Sequence, residues 1–118
     1  MEHATILVAE DEAIVAGDLC DTVEEAGHIV EGPHADMPSA MLAFQKHRPD
    51  LAILDVQLGS TVVYPLAEKL AAENIPIIFH SGRHSCADMQ DRFPQATALA
   101  KPCPPNELID SVSAALSH

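Results

Sequence analysis

Short apolar runs alternate along the chain with longer segments in which apolar residues recur every three or four positions. The short runs are typical of strands, and the longer periodic segments are typical of amphipathic helices. The predicted strands are TILVA at 5–9, HIVEG at 28–32, LAILD at 51–55, IPIIFHSG at 75–82 and ATALA at 96–100. The predicted helices cover 12–27, 36–48, 61–74 and 104–118, with a short, weak helix between 85 and 93.

Residues at the ends of these segments agree with the assignments. Gly27 is suited to end the first helix, because glycine readily adopts the left-handed conformation that follows a helix. Asp36 is suited to cap the second helix, which should stop before Pro49. LAILD is continuously apolar up to its last residue, as expected of a parallel strand that is covered on both faces. Five strand–helix repeats of this length predict an α/β fold with an open, doubly wound parallel sheet.

Polar side chains follow the predicted strands at the point where each strand ends. The carboxyl ends of parallel strands meet at one edge of a sheet, and ligands bind outside that edge. We therefore expect three carboxylates, one hydroxyl and one ammonium group in a single pocket. The residues concerned are Glu10, Asp11, Asp55, Ser81 with Gly82, and Lys101.

Carboxylates in such a pocket need a compensating charge. Two of them about 4 Å apart repel by roughly 4 kcal/mol at an effective dielectric constant of about 20. Mg²⁺ would offset this repulsion, because it binds one or two carboxylates together with waters and a phosphate oxygen. The predicted ligands are Glu10, Asp11, Asp55 and the backbone carbonyl of Gln57. Asp55 would then attack a phosphoryl group as a nucleophile, while Lys101 and Ser81 contact the transferring oxygens.

Each of these residues also has an ordinary structural explanation. Asp11 could act as a helix cap, and Ser81 with Gly82 could simply form a turn. A Lys-Pro dipeptide such as the one at Lys101 usually carries no chemistry. The functional hypothesis depends on the conjunction, since all of these residues fall at the same edge of successive strands.

Composition restricts the classes of partner. The 118 residues suit a single domain over 1–118, and only 3 % are aromatic, which leaves little for stacking on bases. The net charge of −12 disfavours nucleic acid and anionic membranes as partners. Three scattered cysteines argue against a disulfide framework, and the acidic N-terminus is unlike a signal peptide. We expect a cytoplasmic protein with reduced thiols.

Four segments of the sequence resemble the motifs of a known family. ILVAEDE, LAILDVQL, IIFHSG and LAKPCPPNEL occur in this order, and the chain resembles the receiver domain of two-component response regulators over almost its whole length. The resemblance implies a flavodoxin-like (βα)₅ fold with strand order 2-1-3-4-5. It also implies Asp55 as phosphoacceptor, Asp11 as direct Mg²⁺ ligand, Glu10 acting largely through water, and Ser81 and Lys101 as phosphoryl partners. A cis peptide bond after Lys101 is frequent in that family.

The chain departs from the family pattern at several positions. Ala98 occupies the place of the usual aromatic switch residue, so the signal would have to pass through the backbone, a loop or a neighbour such as His80. Gly59 and the residues after it replace the usual proline, which predicts a looser loop. Gln57 and Arg83 flank the phosphosite, where family members tune the phosphoryl lifetime. A zinc site formed by His80, His84 and Cys86 is disfavoured, because no second ligand cluster completes it.

The leading hypothesis is a stand-alone phosphoacceptor that receives a phosphoryl group from a histidine kinase or a phosphotransfer protein. It would lose phosphate slowly and turn over no external substrate. An alternative is a receiver-like module that no longer cycles phosphate and acts by constitutive dimerisation or docking. A homodimer through the fourth and fifth helices and the intervening strand remains an option.

Three further interpretations are disfavoured. A flavin carrier should have a Ser-, Thr- and Gly-rich loop after its first strand, where this chain has Glu10, Asp11 and Glu12. Metal-dependent phosphatases with an aspartyl nucleophile carry that nucleophile in a D-x-D motif after the first strand, as a matter of family resemblance, and no such motif occurs here. A domain without any site would leave the conjunction at the sheet edge unexplained.

Overall fold

A computed structural model of the chain describes residues 4–82, 89, 91–101 and 103–117. A central parallel sheet is flanked by helices on both faces. Its strands are β1 (Thr5–Ala9), β2 (Ile29–His34), β3 (Leu51–Asp55), β6 (Ile77–Ser81) and β7 (Thr97–Ala100), and a separate ribbon pairs β4 (Gln57–Leu58) with β5 (Thr61–Val62). The helices with assigned bounds are α1 (Ala13–Glu25), α2 (Met37–Lys46), α3 (Tyr64–Ala72) and α4 (Pro105–Leu116).

The strand order confirms the predicted fold. The large sheet runs β2-β1-β3-β6-β7, which is the order 2-1-3-4-5 when its five strands alone are numbered. All four of its ladders are parallel. The strand order reverses at β1, so the edge beyond the carboxyl ends of β1 and β3 is the expected ligand site.

Alternate residues of the strands supply two separate cores. Ile53 and its same-facing neighbours pack with α1 and α4, whereas Leu54 and its neighbours pack with α2 and α3. The split follows from the period of two in a pleated strand. Every residue of β3 is buried, which confirms the prediction of a strand covered on both faces.

The predicted N-cap of the second helix is confirmed. The Asp36 side chain accepts a hydrogen bond from the Ser39 backbone N–H at 2.8 Å. By contrast, α1 begins after Glu12, whose side chain makes no capping hydrogen bond. Asp11 therefore does not occupy the N-cap position of α1. Its carboxylate accepts a hydrogen bond from the Gly59 backbone N–H instead.

Two element boundaries differ from the predictions. β2 does not stop at Gly32 but continues through Pro33 to His34, which an edge strand tolerates because its outer N–H groups need no partner. Thr61 and Val62 are not helical but pair antiparallel with Leu58 and Gln57. The segment that was predicted to be a looser loop is thus a short hairpin, and α3 begins only at Tyr64.

The predicted fourth helix lies largely outside the described residues. Within it, Met89, Asp91 and Arg92 are helical, while Arg83, His84 and Cys86 fall among the undescribed positions, as does Pro102. Cys20 and Cys103 are free thiols. In the described part of the chain, no helix is long and apolar enough to cross a bilayer.

Candidate functional site

The sheet brings four of the predicted site residues to the edge beyond β1 and β3. Asp55 lies at the end of β3 beside His80 of β6, and Glu10 follows β1. Glu10 and Asp55 are only 1 % and 6 % exposed. Lys101 follows β7 and hydrogen-bonds through its backbone N–H to the Ser81 carbonyl at 3.0 Å. This bond fixes the start of the lysine side chain at the same edge.

The Lys101 ammonium group lies among three carboxylates. Its Nζ is 2.9 Å from Glu10 Oε1 and 3.1 Å from Asp55 Oδ2. It is also 3.1 Å from Glu12 Oε1. The lysine therefore joins two buried acids to one exposed acid, and it neutralises only one of their three charges.

Burial and hydrogen bonding move the carboxyl pKa values in opposite directions. Burial raises the pKa of Asp55 to about 6, although the hydrogen bond from Lys101 opposes this and the neighbouring Glu10 adds to it. Burial would also raise the pKa of Glu10, but the nearby His80 ring, the Lys101 ammonium group 2.9 Å away and the hydrogen bond from the Glu12 backbone N–H outweigh it and lower that pKa to about 2. Burial would lower the pKa of Lys101, yet its carboxylate partners raise it. Of the two buried acids, Asp55 is therefore the one that takes up a proton first as the pH falls.

The acidic residues fit a hard divalent cation. Carboxylate oxygens of Glu10, Asp11 and Asp55 all lie within 4.8 Å of one another. Oxygen ligands of this type suit Mg²⁺, and the exposed position of Asp11 leaves room for coordinated water. Lys101 can balance only one of the negative charges of Glu10, Asp11 and Asp55, and a bound cation would neutralise the remainder.

The hairpin is tied to the acidic site by two backbone hydrogen bonds. The Gln57 N–H donates to Asp55 Oδ1 at 3.2 Å, and the Gly59 N–H donates to Asp11 Oδ2 at 2.8 Å. Gln57 therefore lies next to Asp55, as the predicted role of its carbonyl requires. The bond from Gly59 explains why Asp11 does not cap α1.

Ser81 and Gly82 lie at the same edge, at the end of β6. Ser81 is the last residue of the strand and is 7 % exposed. A methyl group added at Gly82 would touch the Lys101 side chain at 3.7 Å, an ordinary contact. Gly82 thus lies directly against the lysine stem.

Two residues at this site were missed or misjudged in the sequence. Glu12 was read only as part of an acidic stretch, but it contacts Lys101. His80 was predicted to lie in a strand, as β6 confirms, but its burial, with 3 % exposed, and the 3.7 Å distance from its Nδ1 to Glu10 Oε1 were not expected. The period of two along β6 could have indicated that His80 and Asp55 share a face.

The chain matches proteins of one family. The family model described as "Response regulator receiver domain" matches residues 6–113 of this chain. The transcriptional regulatory protein PdtaR of Mycobacterium tuberculosis is 31 % identical over 116 residues, which cover 96 % of this chain and 57 % of PdtaR. The phyllosphere-induced regulator PhyR of Methylorubrum extorquens is 32 % identical over 114 residues, which cover 94 % of this chain and 43 % of PhyR. The chain thus spans about half the length of these relatives.

Solved structures agree with this match. The signal receiver domain of a modulated diguanylate cyclase from Desulfovibrio desulfuricans G20 superposes with a TM-score of 0.85 at 30 % identity, covering 97 % of this chain and 94 % of that one. PhyR from Brucella abortus gives a TM-score of 0.82 at 25 % identity, covering 98 % of this chain and 48 % of that one.

Proposed function

Because the chain belongs to the response regulator receiver family, we propose that it is the phosphoacceptor of a two-component phosphorelay. It would take a phosphoryl group onto Asp55 from a histidine kinase or a histidine phosphotransfer protein, and phosphorylation would change a surface that binds a partner. The observation that carries the proposal is the Lys101 ammonium group 3.1 Å from Asp55 Oδ2, beside two further carboxylates that suit a cation.

The proposed reaction is a transfer between an imidazole and a carboxylate. A carboxylate oxygen of Asp55 forms a bond to phosphorus while the phosphorus–nitrogen bond of the donor phosphohistidine breaks. The electron pair of that bond stays on the imidazole nitrogen, and an acyl phosphate results. Lys101 would balance charge on the transferring oxygens, and the Ser81 hydroxyl would contact the same oxygens.

Mg²⁺ would neutralise charge on the phosphoryl oxygens and the acids when it is bound. In this proposal Glu10, Asp11, Asp55 and the carbonyl of Gln57 would hold it. The chain's own residues set the protonation state: Asp55 attacks only as the carboxylate, and the raised pKa of about 6 leaves that form dominant at neutral pH.

Intact-protein mass spectrometry tests the proposal. Incubation of the wild type with Mg²⁺ and acetyl phosphate should add the mass of one phosphoryl group. Asp55→Asn should add none, because an amide cannot form the acyl phosphate. Asp110→Asn removes an exposed carboxyl group on α4 and should label like the wild type. Labelling that survives in Asp55→Asn would refute the assignment.

The partners belong to the same proposal. A solved relative, the anti-anti-sigma factor PhyR from Bartonella quintana, is 25 % identical with a TM-score of 0.81, covering 98 % of this chain and 49 % of that one. For this chain we propose a protein partner, since a net charge of −12 disfavours nucleic acid.

Ala98 favours a second candidate, a docking module that does not cycle phosphate. Ala98 pairs with Phe79 across the sheet and packs against the core beside α3. An alanine there has no rotamer with which to report the state of Ser81. A protein that shows no Mg²⁺ binding at neutral pH and no labelling by acetyl phosphate would favour this candidate.

A further inference from the structure

The Lys101 ammonium group is surrounded by three carboxylates: it hydrogen-bonds to Glu12 and Asp55 and forms an ion pair with Glu10. An ammonium group has three donors and no acceptor, and Nζ lies 2.9 to 3.1 Å from carboxylate oxygens of Glu10, Asp55 and Glu12. A phosphoryl oxygen arriving at Asp55 therefore has to compete with these carboxylates for the lysine.

The contact with Glu12 is the one that can be given up at the lowest cost. The Glu12 side chain is 64 % exposed, whereas the side chains of Glu10 and Asp55 are 0 % and 8 % exposed. A carboxylate released into water regains its hydration, but a buried one does not. Glu12 also makes no capping hydrogen bond to α1, so its release from Lys101 breaks no such bond.

We propose that Glu12 is a positioning residue that competes with the incoming phosphoryl group for Lys101. It holds the ammonium group at the mouth of the site and leaves it when the phosphoryl oxygens arrive. Glu12 thereby slows phosphorylation of Asp55 in the resting protein. This inference rests on the proposed phosphoacceptor function.

Substitutions of Glu12 test the competition through the rate of labelling. The rate with Mg²⁺ and acetyl phosphate is measured against donor concentration. Glu12→Gln should raise the rate at high donor concentration about two- to fivefold, the range expected for loss of an exposed ion pair. A rate equal to that of the wild type would overturn the inference.

Two companion variants separate the contact from the charge. Glu25→Gln removes the same charge at the far end of α1, about 20 Å away along the helix, and should leave the maximal rate unchanged. Glu12→Asp keeps the charge but shortens the reach toward Lys101, and its rate should also rise. If Glu25→Gln accelerates as much as Glu12→Gln, or if Glu12→Asp matches the wild type, net charge explains the effect and the contact does not.

A readout without any donor distinguishes this inference from the proposed function. The chain has three lysines, Lys46, Lys69 and Lys101, so their side-chain carbon resonances can be followed individually by NMR. Glu12→Gln should move the Lys101 resonance and leave the other two in place. Wild-type protein that fails to label would refute the phosphoacceptor function, whereas protein that labels but shows an unmoved Lys101 resonance would overturn this inference alone.

Discussion

At the residue scale, the two buried acids of the site share one lysine but have opposite pKa shifts. The nearby His80 and Lys101 and the hydrogen bond from the Glu12 backbone N–H keep Glu10 ionised, with a pKa of about 2, while burial dominates at Asp55 and raises its pKa to about 6. The acid proposed as nucleophile is therefore the one whose charge is least compensated. That imbalance destabilises the resting fold and is relieved by a cation or by protonation.

Asp55→Asn should therefore stabilise the metal-free protein at neutral pH. The folded state binds more protons than the unfolded state between about pH 4 and 6, so the wild type loses stability as the pH rises through that window. Asparagine resembles the protonated acid and avoids the loss. We expect a gain of about 1–3 kcal/mol in the free energy of unfolding at pH 7 and almost none near pH 4.

Urea unfolding at the two pH values in the presence of a chelator measures this difference. Asp110→Asn serves as the control, because its exposed carboxyl group should change stability little at either pH. Equal stability of the wild type and Asp55→Asn at pH 7 would mean that Lys101 fully offsets the cost of burying the Asp55 charge.

At the element scale, β2 depends on one glycine that its sequence pattern did not explain. Gly32 has φ of +130°, and a Cβ built there would lie 2.6 Å from the Val8 carbonyl oxygen. It lies in the stretch where the β1–β2 register shifts, between the pairings of Leu7 and Ala9. Glycine lets the edge strand pass close to β1 there and continue to His34.

Gly32→Ala should lower the free energy of unfolding by about 2 kcal/mol or more, because both the backbone conformation and the contact with Val8 are unfavourable for alanine. Gly17→Ala is the matched control. Gly17 lies on the exposed side of α1 with nothing within 4 Å of a built Cβ, so alanine there should stabilise by up to about 1 kcal/mol. Thermal unfolding of both variants decides this, and equal effects would contradict the role of Gly32.

Comparison of the predicted with the observed elements shows which of them the local sequence pattern can predict. β1, β3 and α2 were predicted closely, because each has a complete apolar period or a clear cap. The hairpin at 57–62 was missed, since its ribbon is closed by the pairing of Gln57 with Val62 and held by the bond from Gly59 to Asp11. Asp11 is 48 residues away along the chain from Gly59, and no local pattern encodes such a bond.

At the scale of the whole molecule, the charge of −12 acts on stability through repulsion among many groups. Sodium chloride should raise the unfolding temperature, because salt screens exposed charges beyond about 10 Å at 0.1 M. Magnesium chloride at equal ionic strength should raise it further, since a ligand at 100 times its Kd stabilises by about 2.7 kcal/mol.

Asp11→Asn separates these two contributions in the same thermal measurement. Because it removes a proposed Mg²⁺ ligand, the additional effect of magnesium should shrink while the effect of sodium chloride persists. If sodium and magnesium chloride act identically on the wild type, the acidic cluster binds no magnesium.

Periodicity and strand-end chemistry in the sequence determined the order of strands and helices, the doubly wound sheet and the set of polar residues near its edge. These features can be predicted from short stretches of sequence. The period of the apolar residues distinguishes strands from helices, and the carboxyl ends of parallel strands lie at the same edge of a sheet. Only the tertiary structure decided that Glu12 reaches Lys101, 89 residues away, that His80 is buried beside Glu10, and that the segment after Asp55 is a hairpin. Those features depend on ångström-scale distances between segments remote in the chain, which apolar patterning does not specify.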